Sequence, residues 1–425
     1  MSTGLQDTLR LSKQLLLSGS VGFPDAAMRF LLALNTAEVE AWMHLALVAR
    51  LMKEDHTAAR FARFVLNRDS KHAQAKQMLQ ATKDAGPSLD ARSTPQGRYL
   101  LIRAWNAGFW SDVDHVLGCL LLASLTNRTP VIHWGPDSRY GGTPERSAWD
   151  NFFEPVSTLT VHDLAAQKLA CFPPKWNHEN ISGPSINRFN GKHSRTSYLS
   201  LLNRPEPVVV ADFFVPLAGV FFYLRPDHPD FDSHPQTILR RTLIEQVRPL
   251  PQHRAAAAEF TGRHFGNGPV LAVHVRGTDK TDEDPTANEW NQRFTMIADQ
   301  SLKNGLVKSL FLMTDTAAAQ DKWRKLFGDA LICSPAQVSQ GTTALHFTPG
   351  LDGAALGREI LVDSLIATHA DRFVGMASSN VARMISLLKP WAPDTIGLLG
   401  EDVLNMPNPM LSDPRIAFAG RNEPE

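Results

Sequence analysis

The first ~85 residues of the chain carry apolar side chains at intervals of three and four, the pattern of an amphipathic helix. Alanine and leucine are frequent there, and Pro24 is the only proline in the segment. Residues 84–97, DAGPSLDARSTPQG, are rich in Pro, Gly, Ser and Asp, which is typical of a linker. We therefore predict an all-α module over residues 1–85, joined by this linker to the rest of the chain.

A weak internal repeat with a spacing of 32 residues lies in this module, where Ala26–Ala27 matches Ala58–Ala59. The stretch VEAWMHLALVARLMKEDHTAARFARFVLN resembles a tetratricopeptide repeat, in which small residues let two antiparallel helices approach closely. Two repeats fit, at residues 6–38 and 39–72, with a further helix as a cap. An ordinary helical bundle is the alternative. The resemblance implies a module that recruits a protein or glycan acceptor or mediates self-association.

Beyond the linker, short aliphatic runs alternate with helical patterns. The strand candidates are RYLLIRAW, PVIHW, PVVVADF, GPVLAVHV, KSLFLMTD, ALICS and DRFVGM, and helical patterns lie near residues 111–127, 290–304, 317–327 and 354–369. Such alternation predicts parallel sheets covered by helices on both faces. We expect two α/β units, at residues 95–255 and 256–400, followed by a C-terminal tail at residues 401–425.

Composition limits the class of protein. At ~100–200 residues per domain, 425 residues predict two to four domains. Hydrophobic residues make up 43% of the chain and charged residues 20%, which excludes a disordered chain. The 43 basic and 43 acidic side chains give a net charge of zero, which excludes a globally basic nucleic-acid binder. We expect no nucleic acid as a partner, and a local basic groove is the alternative.

Three features indicate the cellular compartment. No apolar run approaches the ~20 residues of a membrane span, and the start MSTGLQDTLRLSKQ lacks the layout of a signal peptide. Cys119, Cys171 and Cys333 are odd in number and far apart, which excludes a disulfide framework and a clustered cysteine metal site. We expect a cytoplasmic protein with no membrane span.

The segment VLAVHVRGTDKTDED, residues 270–284, is an apolar strand that ends in charged residues. His274 and Arg276 come first, and the Arg276 guanidinium is a planar fork of donors suited to phosphate. Lys280 adds a second, compact positive charge. The carboxylates that could orient Arg276 or remove a proton are Asp279, Asp282, Glu283 and Asp284. The alternative is a solvated strand end with salt bridges.

Two further segments carry candidate polar residues, one at the end of a predicted strand and one in a predicted helix. SLFLMTDT is an apolar strand that ends in Asp315, and the helix before the strand RFVGM contains Asp363. Because ligands in open α/β sheets bind beyond the carboxyl ends of the strands, these carboxylates are candidate site residues. For Asp363 the alternative is an exposed position on a helix.

A helix start follows the strand RFVGM. Ser378, Ser379 and Asn380 stand where this helix must begin, and Arg383 follows one turn later. The backbone N–H groups of a helix start, together with hydroxyl groups, can bind an anion. The alternative is that one of these residues is only an N-cap.

In this order and spacing, HVRGTDK, FLMTDT, the helix with Asp363 and ASSNVARMISLL resemble the three conserved regions of the alpha-1,6-fucosyltransferases. This family includes the animal enzymes that core-fucosylate N-glycans and the bacterial Nod-factor fucosyltransferase, and protein O-fucosyltransferases share the arrangement more distantly. In the first half, WNAGFWSDVDHVLGCLLLASLTNRTPVIHWG and AWDNFFEPV are similar to the bacterial members. The resemblance covers residues 98–395. It implies a GT-B fold, in which two Rossmann-like domains face each other across a cleft and the second binds GDP-fucose.

The resemblance also implies roles for the residues named above. Arg276 would contact the donor pyrophosphate, and His274 and Asp363 would contact guanine. The remaining donor-binding residues would be Asp315, Ser378, Ser379, Asn380 and Arg383. The catalytic set would be Arg276, Asp279, Lys280, Glu283 and Asp284, in which Asp284 aligns best with the family's base and Glu283 or Asp279 are alternatives.

The chain departs from the family pattern at a few positions. Gly277 stands in place of a second arginine, Thr316 in place of a second aspartate and Asn380 in place of a glutamine, while Trp110 and Ser111 lie where small residues are usual. These changes affect the expected sugar and acceptor more than the nucleotide site. The amide exchange at Asn380 keeps the same hydrogen-bonding groups.

The expected function is an inverting glycosyltransferase that moves L-fucose from GDP-fucose to a hydroxyl of a glycan or a protein-linked sugar. We expect no metal and no cofactor, the GDP-sugar being a substrate. One alternative is a transferase of the same fold that uses another nucleotide sugar. The other is a non-catalytic binding or scaffold protein that acts through its helical repeats.

Overall fold

The computed structural model describes residues 3–19, 24, 28, 39–52, 55–82, 97–186, 201–202, 204–221, 224, 228–230, 233, 235–266, 268–278, 287–341 and 343–400. The predicted tail at 401–425 and all but the last residue of the linker at 84–97 lie outside these ranges. Within the same ranges, no helix is both long enough and apolar enough to cross a lipid bilayer.

The N-terminal segment is helical wherever it is described. Its helices are α1 (Thr3–Leu17), α2 (Val39–Leu51), α3 (Asp55–Arg68) and α4 (Ala73–Thr82). Helix α2 packs against α1 and α3, and α3 packs against α4. The Trp42 and Phe61 rings lie 5.6 Å apart between α2 and α3, and Ala58 and Ala62 are fully buried in α3. Most of residues 20–38 lies outside the description, so the two tetratricopeptide repeats stay a prediction.

The first sheet has four parallel strands in the order β2-β1-β4-β3. Its strands are β1 (Tyr99–Arg103), β2 (Thr129–His133), β3 (Cys171–Phe172) and β4 (Val208–Ala211), and the helices between them are α5 (Phe109–Leu125) and α6 (Val161–Ala166), followed after β4 by α7 (Leu217–Val220). Helix α5 is buried over almost its whole length, and its buried residues include Asp112, Asp114 and His115 as well as the apolar run that follows them.

The second sheet has five parallel strands in the order β7-β6-β5-β8-β9. Its strands are β5 (Val270–Val275), β6 (Ser309–Thr314), β7 (Leu331–Cys333), β8 (Arg372–Met376) and β9 (Ile396–Leu399). Strand order reverses between β5 and β8, so a crevice opens at their carboxyl ends. The central strand β5 is buried along its whole length, as its continuous apolar sequence VLAVHV predicts.

Six further α-helices lie in the described residues from 235 onward. They are α8 (Pro235–Gln246), α9 (Pro251–His264), α10 (Ala287–Lys303), α11 (Ala317–Phe327), α12 (Gly353–Thr368) and α13 (Asn380–Leu388). Helix α9 packs against α12, whereas α13 packs against α8 and against α5 of the first sheet. Helix α13 therefore joins the two halves, and its first residues lie where they meet.

The chain thus has a mixed α/β fold with two parallel sheets, as the alternation of strands and helices predicted. All seven strand candidates are confirmed. Strands β3 and β9 were missed; β3 has only two residues, which are too few to give a periodic signal.

Candidate functional site

A cavity of about 410 Å³ lies between the two halves of the fold. One wall is the loop from β1 to α5, residues 105–108, together with the start of α5 and Tyr140. The other wall consists of the carboxyl ends of β5 and β6, the loop after β7, one face of α12 and the start of α13. The three polar segments that the sequence singled out meet here, although up to a hundred residues separate them in the chain.

Arg276 lies directly after β5, and Asp315, directly after the neighbouring strand β6, holds the turn that contains Arg276. One Asp315 oxygen accepts a hydrogen bond from the Gly277 N–H at 2.8 Å. The other accepts from the Thr278 hydroxyl at 2.6 Å and lies 3.2 Å from Arg276 Nε. Asp315 therefore stabilises the turn that contains Arg276.

Asp363 lies half-buried on α12 and lines the cavity. Burial raises the pKa of its carboxyl to about 7, and the negative charge of Glu359 one turn earlier adds to the rise. The Ser334 hydroxyl donates a hydrogen bond to Asp363 Oδ2 at 2.9 Å and lowers this pKa in part. The alternative of an exposed helix position is wrong, because the side chain is half-buried and lines the cavity.

Ser379 is the N-cap of α13 by its backbone, yet its side chain makes no capping hydrogen bond. The residue is 2% exposed, lines the cavity, and its hydroxyl has no partner among the residues that the structure describes. The alternative that the Ser379 side chain serves as an N-cap is therefore wrong. A buried hydroxyl at the positive end of a helix is suited to an anionic group.

Arg383 lies one turn into α13. Its guanidinium donates to the Asn380 side-chain oxygen at 3.1 Å and pairs with Asp114 of α5 at 3.6 Å. Arg383 does not line the cavity, in contrast to Asn380. Arg383 therefore links the start of α13 to α5 of the first half, and it supports the site without lining the cavity.

The first half closes the cavity with aromatic residues. Trp110 is buried, and its indole N–H donates to the Ser364 hydroxyl on α12 at 2.9 Å. Arg139 donates to the backbone oxygen of Asn106 at 3.1 Å, and its guanidinium stacks over the Phe347 ring at 4.4 Å. These contacts connect the β1–α5 loop to the second half at one side of the cavity.

Glu359 also lines the cavity, and the sequence analysis missed it. Its two carboxylate oxygens accept hydrogen bonds from Gln337, one from the backbone N–H at 3.0 Å and one from the side-chain amide at 3.3 Å. Glu359 and Asp363 are four residues apart on one helical face and both hold the loop after β7. The four-residue spacing of Glu359 and Asp363 could have identified Glu359 from the sequence. No sequence pattern indicates that Tyr140 and Arg139 lie near the site.

Two departures from the family pattern are in contact. A Cβ atom at Gly277 would lie 3.1 Å from the Thr316 hydroxyl oxygen and 3.2 Å from its methyl carbon. Thr316 is buried and caps α11 by accepting from the Ala319 N–H. Thr316 therefore fills the space beside Gly277, so a larger residue there would require Thr316 to move.

The structure brings together seven predicted residues at one cavity: His274, Arg276, Asp315, Asp363, Ser378, Ser379 and Asn380. Asp279, Lys280, Glu283 and Asp284 lie outside the described residues, and their roles stay predictions. In the described part of the chain, no group of three or more His, Cys, Asp or Glu side chains could hold a metal ion. A cationic side chain, a helix start and carboxylates at one cavity suit a ligand with both phosphate and N–H groups.

Comparison with known proteins gives one sequence relative. The chain is 25% identical over 295 residues to the alpha-(1,6)-fucosyltransferase of Drosophila melanogaster, an alignment that covers 68% of this chain and 43% of the relative. The chain thus spans less than half the length of this curated relative. No family model matches the chain.

Solved structures of fucosyltransferases are also similar. NodZ alpha-1,6-fucosyltransferase soaked with GDP-fucose has a TM-score of 0.48 and 20% identity, covering 69% of this chain and 94% of that one. Fucosyltransferase NodZ from Bradyrhizobium has a TM-score of 0.47, 20% identity and coverages of 69% and 94%. POFUT1 in complex with GDP has a TM-score of 0.43, 14% identity and coverages of 73% and 100%.

Proposed function

We propose that the protein is an inverting, metal-independent glycosyltransferase that moves L-fucose from GDP-fucose to a hydroxyl of a glycan or protein-linked sugar. The observation that carries this proposal is the cavity that gathers Arg276, Asp363 and Ser379 from three separate segments. Similarity to the Drosophila melanogaster alpha-(1,6)-fucosyltransferase supports it.

In this proposal the nucleotide is held at both of its ends. Asp363 accepts hydrogen bonds from the N–H groups on the guanine edge, since a carboxylate presents two acceptor oxygens. His274, which is buried at the end of β5, lines the same cavity and completes the base contacts. Arg276 and the start of α13 contact the pyrophosphate.

Bond cleavage leaves negative charge on the departing GDP, and the same groups stabilise it. The Arg276 guanidinium keeps its positive charge at any physiological pH. The Ser378 and Ser379 hydroxyls and the first N–H groups of α13 add donors in a site that excludes much water. These fixed charges and dipoles take the part that a metal ion plays in other phosphate sites.

Inversion requires direct attack by the acceptor hydroxyl, whose proton passes to a base. We assign this role to Asp284, with Glu283 or Asp279 as alternatives and Lys280 as a second positive charge near the phosphates.

We place the enzyme in the cytoplasm. The N-terminal helices would recruit the acceptor or mediate self-association.

A transferase that uses another nucleotide sugar is the second candidate. The packing of Thr316 against Gly277 favours it, because these two positions carry an arginine and an aspartate in the family that the sequence resembles. Their loss changes the surroundings of Arg276 and leaves Asp363 unchanged. These two positions affect the expected sugar more than the nucleotide site, and the second candidate leaves the nucleotide open.

Thermal-shift measurements with GDP, UDP, ADP and dTDP test the nucleotide. We expect GDP to raise the melting temperature well above the other three, because Asp363 pairs with guanine N–H groups that uracil, adenine and thymine do not present in the same arrangement. A screen of GDP-sugars for donor hydrolysis then separates fucose from other sugars. Absence of stabilisation by GDP contradicts the proposal.

Arg276→Ala tests the leaving-group assignment. We expect loss of transfer of at least about a hundredfold, with little change in the melting temperature, because the side chain acts on phosphate charge. Arg324→Ala is the matched control, since its guanidinium is 56% exposed on α11. Full transfer activity in the Arg276 variant would show that another group stabilises the departing nucleotide.

A further inference from the structure

Arg276 is fixed by its backbone as well as by its side chain. Its carbonyl oxygen accepts a hydrogen bond from the Asn291 side-chain amide at 2.7 Å. Asn291 lies in the second turn of α10, whereas Asp315, which pairs with Arg276 Nε, follows β6. Two residues from different elements therefore hold the two ends of Arg276.

The orientation of the Asn291 amide follows from chemistry. A carbonyl oxygen can only accept a hydrogen bond, so the atom facing Arg276 is the amide nitrogen. The other amide atom, Oδ1, is buried and has no hydrogen-bond partner among the described residues. A buried acceptor without a partner is unfavourable, so the contribution of this side chain lies in the bond that it donates.

We propose that Asn291 is a positioning residue that holds the Arg276 turn so that the guanidinium meets the donor pyrophosphate. This inference rests on the proposed function, in which Arg276 contacts phosphate. Asn291 itself does not line the cavity, so it acts through Arg276 alone. The turn has little freedom to move, because Gly277 and Thr278 both donate hydrogen bonds to Asp315.

Asn291→Leu removes the donor at nearly constant volume and is tested by calorimetric titration with GDP and with guanosine. We expect GDP to bind about tenfold more weakly, which corresponds to the loss of one hydrogen bond. Guanosine affinity should stay within about twofold of the wild type. In an Arg276→Ala background the same substitution should have no further effect on GDP binding. Thr295→Val is the matched control, because among the described residues the Thr295 hydroxyl donates to the Asn291 backbone oxygen within the same helix.

Equal losses for GDP and guanosine, or unchanged GDP affinity, would overturn the inference, as would additive effects in the double variant. If Asn291→Leu fails to fold, Asn291→Ala removes the same N–H donor without adding a charge and is measured in the same way. The Arg276 Nε–H resonance gives a readout that needs no nucleotide: it should shift in both Asn291 variants and stay in place in Thr295→Val. A wild type that binds no GDP would end the proposed function, and this resonance would still decide the positioning role.

Discussion

Asp363 is a residue whose protonation depends on its place in the fold. An aspartate in water ionises near pH 4, but burial beside Glu359 raises the pKa of Asp363 to about 7. The free protein therefore holds this carboxyl partly protonated at neutral pH. A ligand that donates two N–H groups to it requires the ionised form, so binding must release a proton.

Guanosine affinity should accordingly rise with pH up to about 7 and then level off. Below that value each unit of pH should weaken binding by up to about tenfold, since the raised pKa keeps the carboxyl protonated in the free protein. Guanosine is the probe because it carries no phosphate that titrates in this range. Titration calorimetry between pH 5 and 8 measures the profile.

Asp363→Asn is the control for that profile. Its amide cannot ionise, so binding should be weak and should lose the rise between pH 5 and 7. A profile that is the same in both proteins would assign the pH dependence to another group and would contradict guanine contact by Asp363.

At the scale of elements, α13 is the part that connects the site to the rest of the protein. Its start lines the cavity, while its body packs against α5 and α8. The ion pair between Arg383 and Asp114 lies on the α5 side, with only 18% and 8% of the two side chains exposed. The pair therefore fixes the direction in which the helix start points.

Asp114→Asn should lower the free energy of unfolding by about 1–3 kcal/mol, because it leaves the Arg383 charge partly buried without its counter-charge. GDP affinity should fall as well, since the start of α13 loses its anchor. Urea unfolding and calorimetric titration measure the two effects. Asp321→Asn is the control: its pair with Arg324 is exposed, and we expect a change below about 0.5 kcal/mol.

Elements with strong periodicity could be predicted from the sequence. Helix α11 was predicted at residues 317–327 and is found at Ala317–Phe327, and α12 was predicted at 354–369 and is found at Gly353–Thr368. Their caps explain the accuracy, because Thr316 and Asp352 are residues that favour N-caps and both bind the first backbone N–H groups. Strand β3 depends on pairing with β4, which no local pattern reveals.

For the whole molecule, the hydrophobic core extends across regions that the sequence separates. One continuous cluster of buried residues begins in the N-terminal helices with Trp42, passes through Leu100 of β1 and reaches Met384 of α13. Contiguous apolar burial couples the regions that share it. The linker composition therefore does not mark an energetic boundary.

Differential scanning calorimetry should show the N-terminal helices and the first sheet unfolding in one transition. Deletion of residues 1–90 should lower the melting temperature of the remainder, because the cluster would lose apolar contacts and expose their partners to water. A separate low-temperature transition for the helices, or an unchanged melting temperature after deletion, would show that they fold on their own.

The sequence alone determined the fold class, seven of the nine strands in the described residues and the segments that carry the chemistry, because periodicity, strand ends and caps are local properties. Only the tertiary structure decided which of these residues meet and what each contacts. Asp315 supports the Arg276 turn, Ser379 leaves its hydroxyl facing the cavity, and Glu359 joins the site. These outcomes depend on distances between elements that are far apart in the chain. Burial at the cavity likewise raises the pKa of Asp363, which no local sequence pattern reveals.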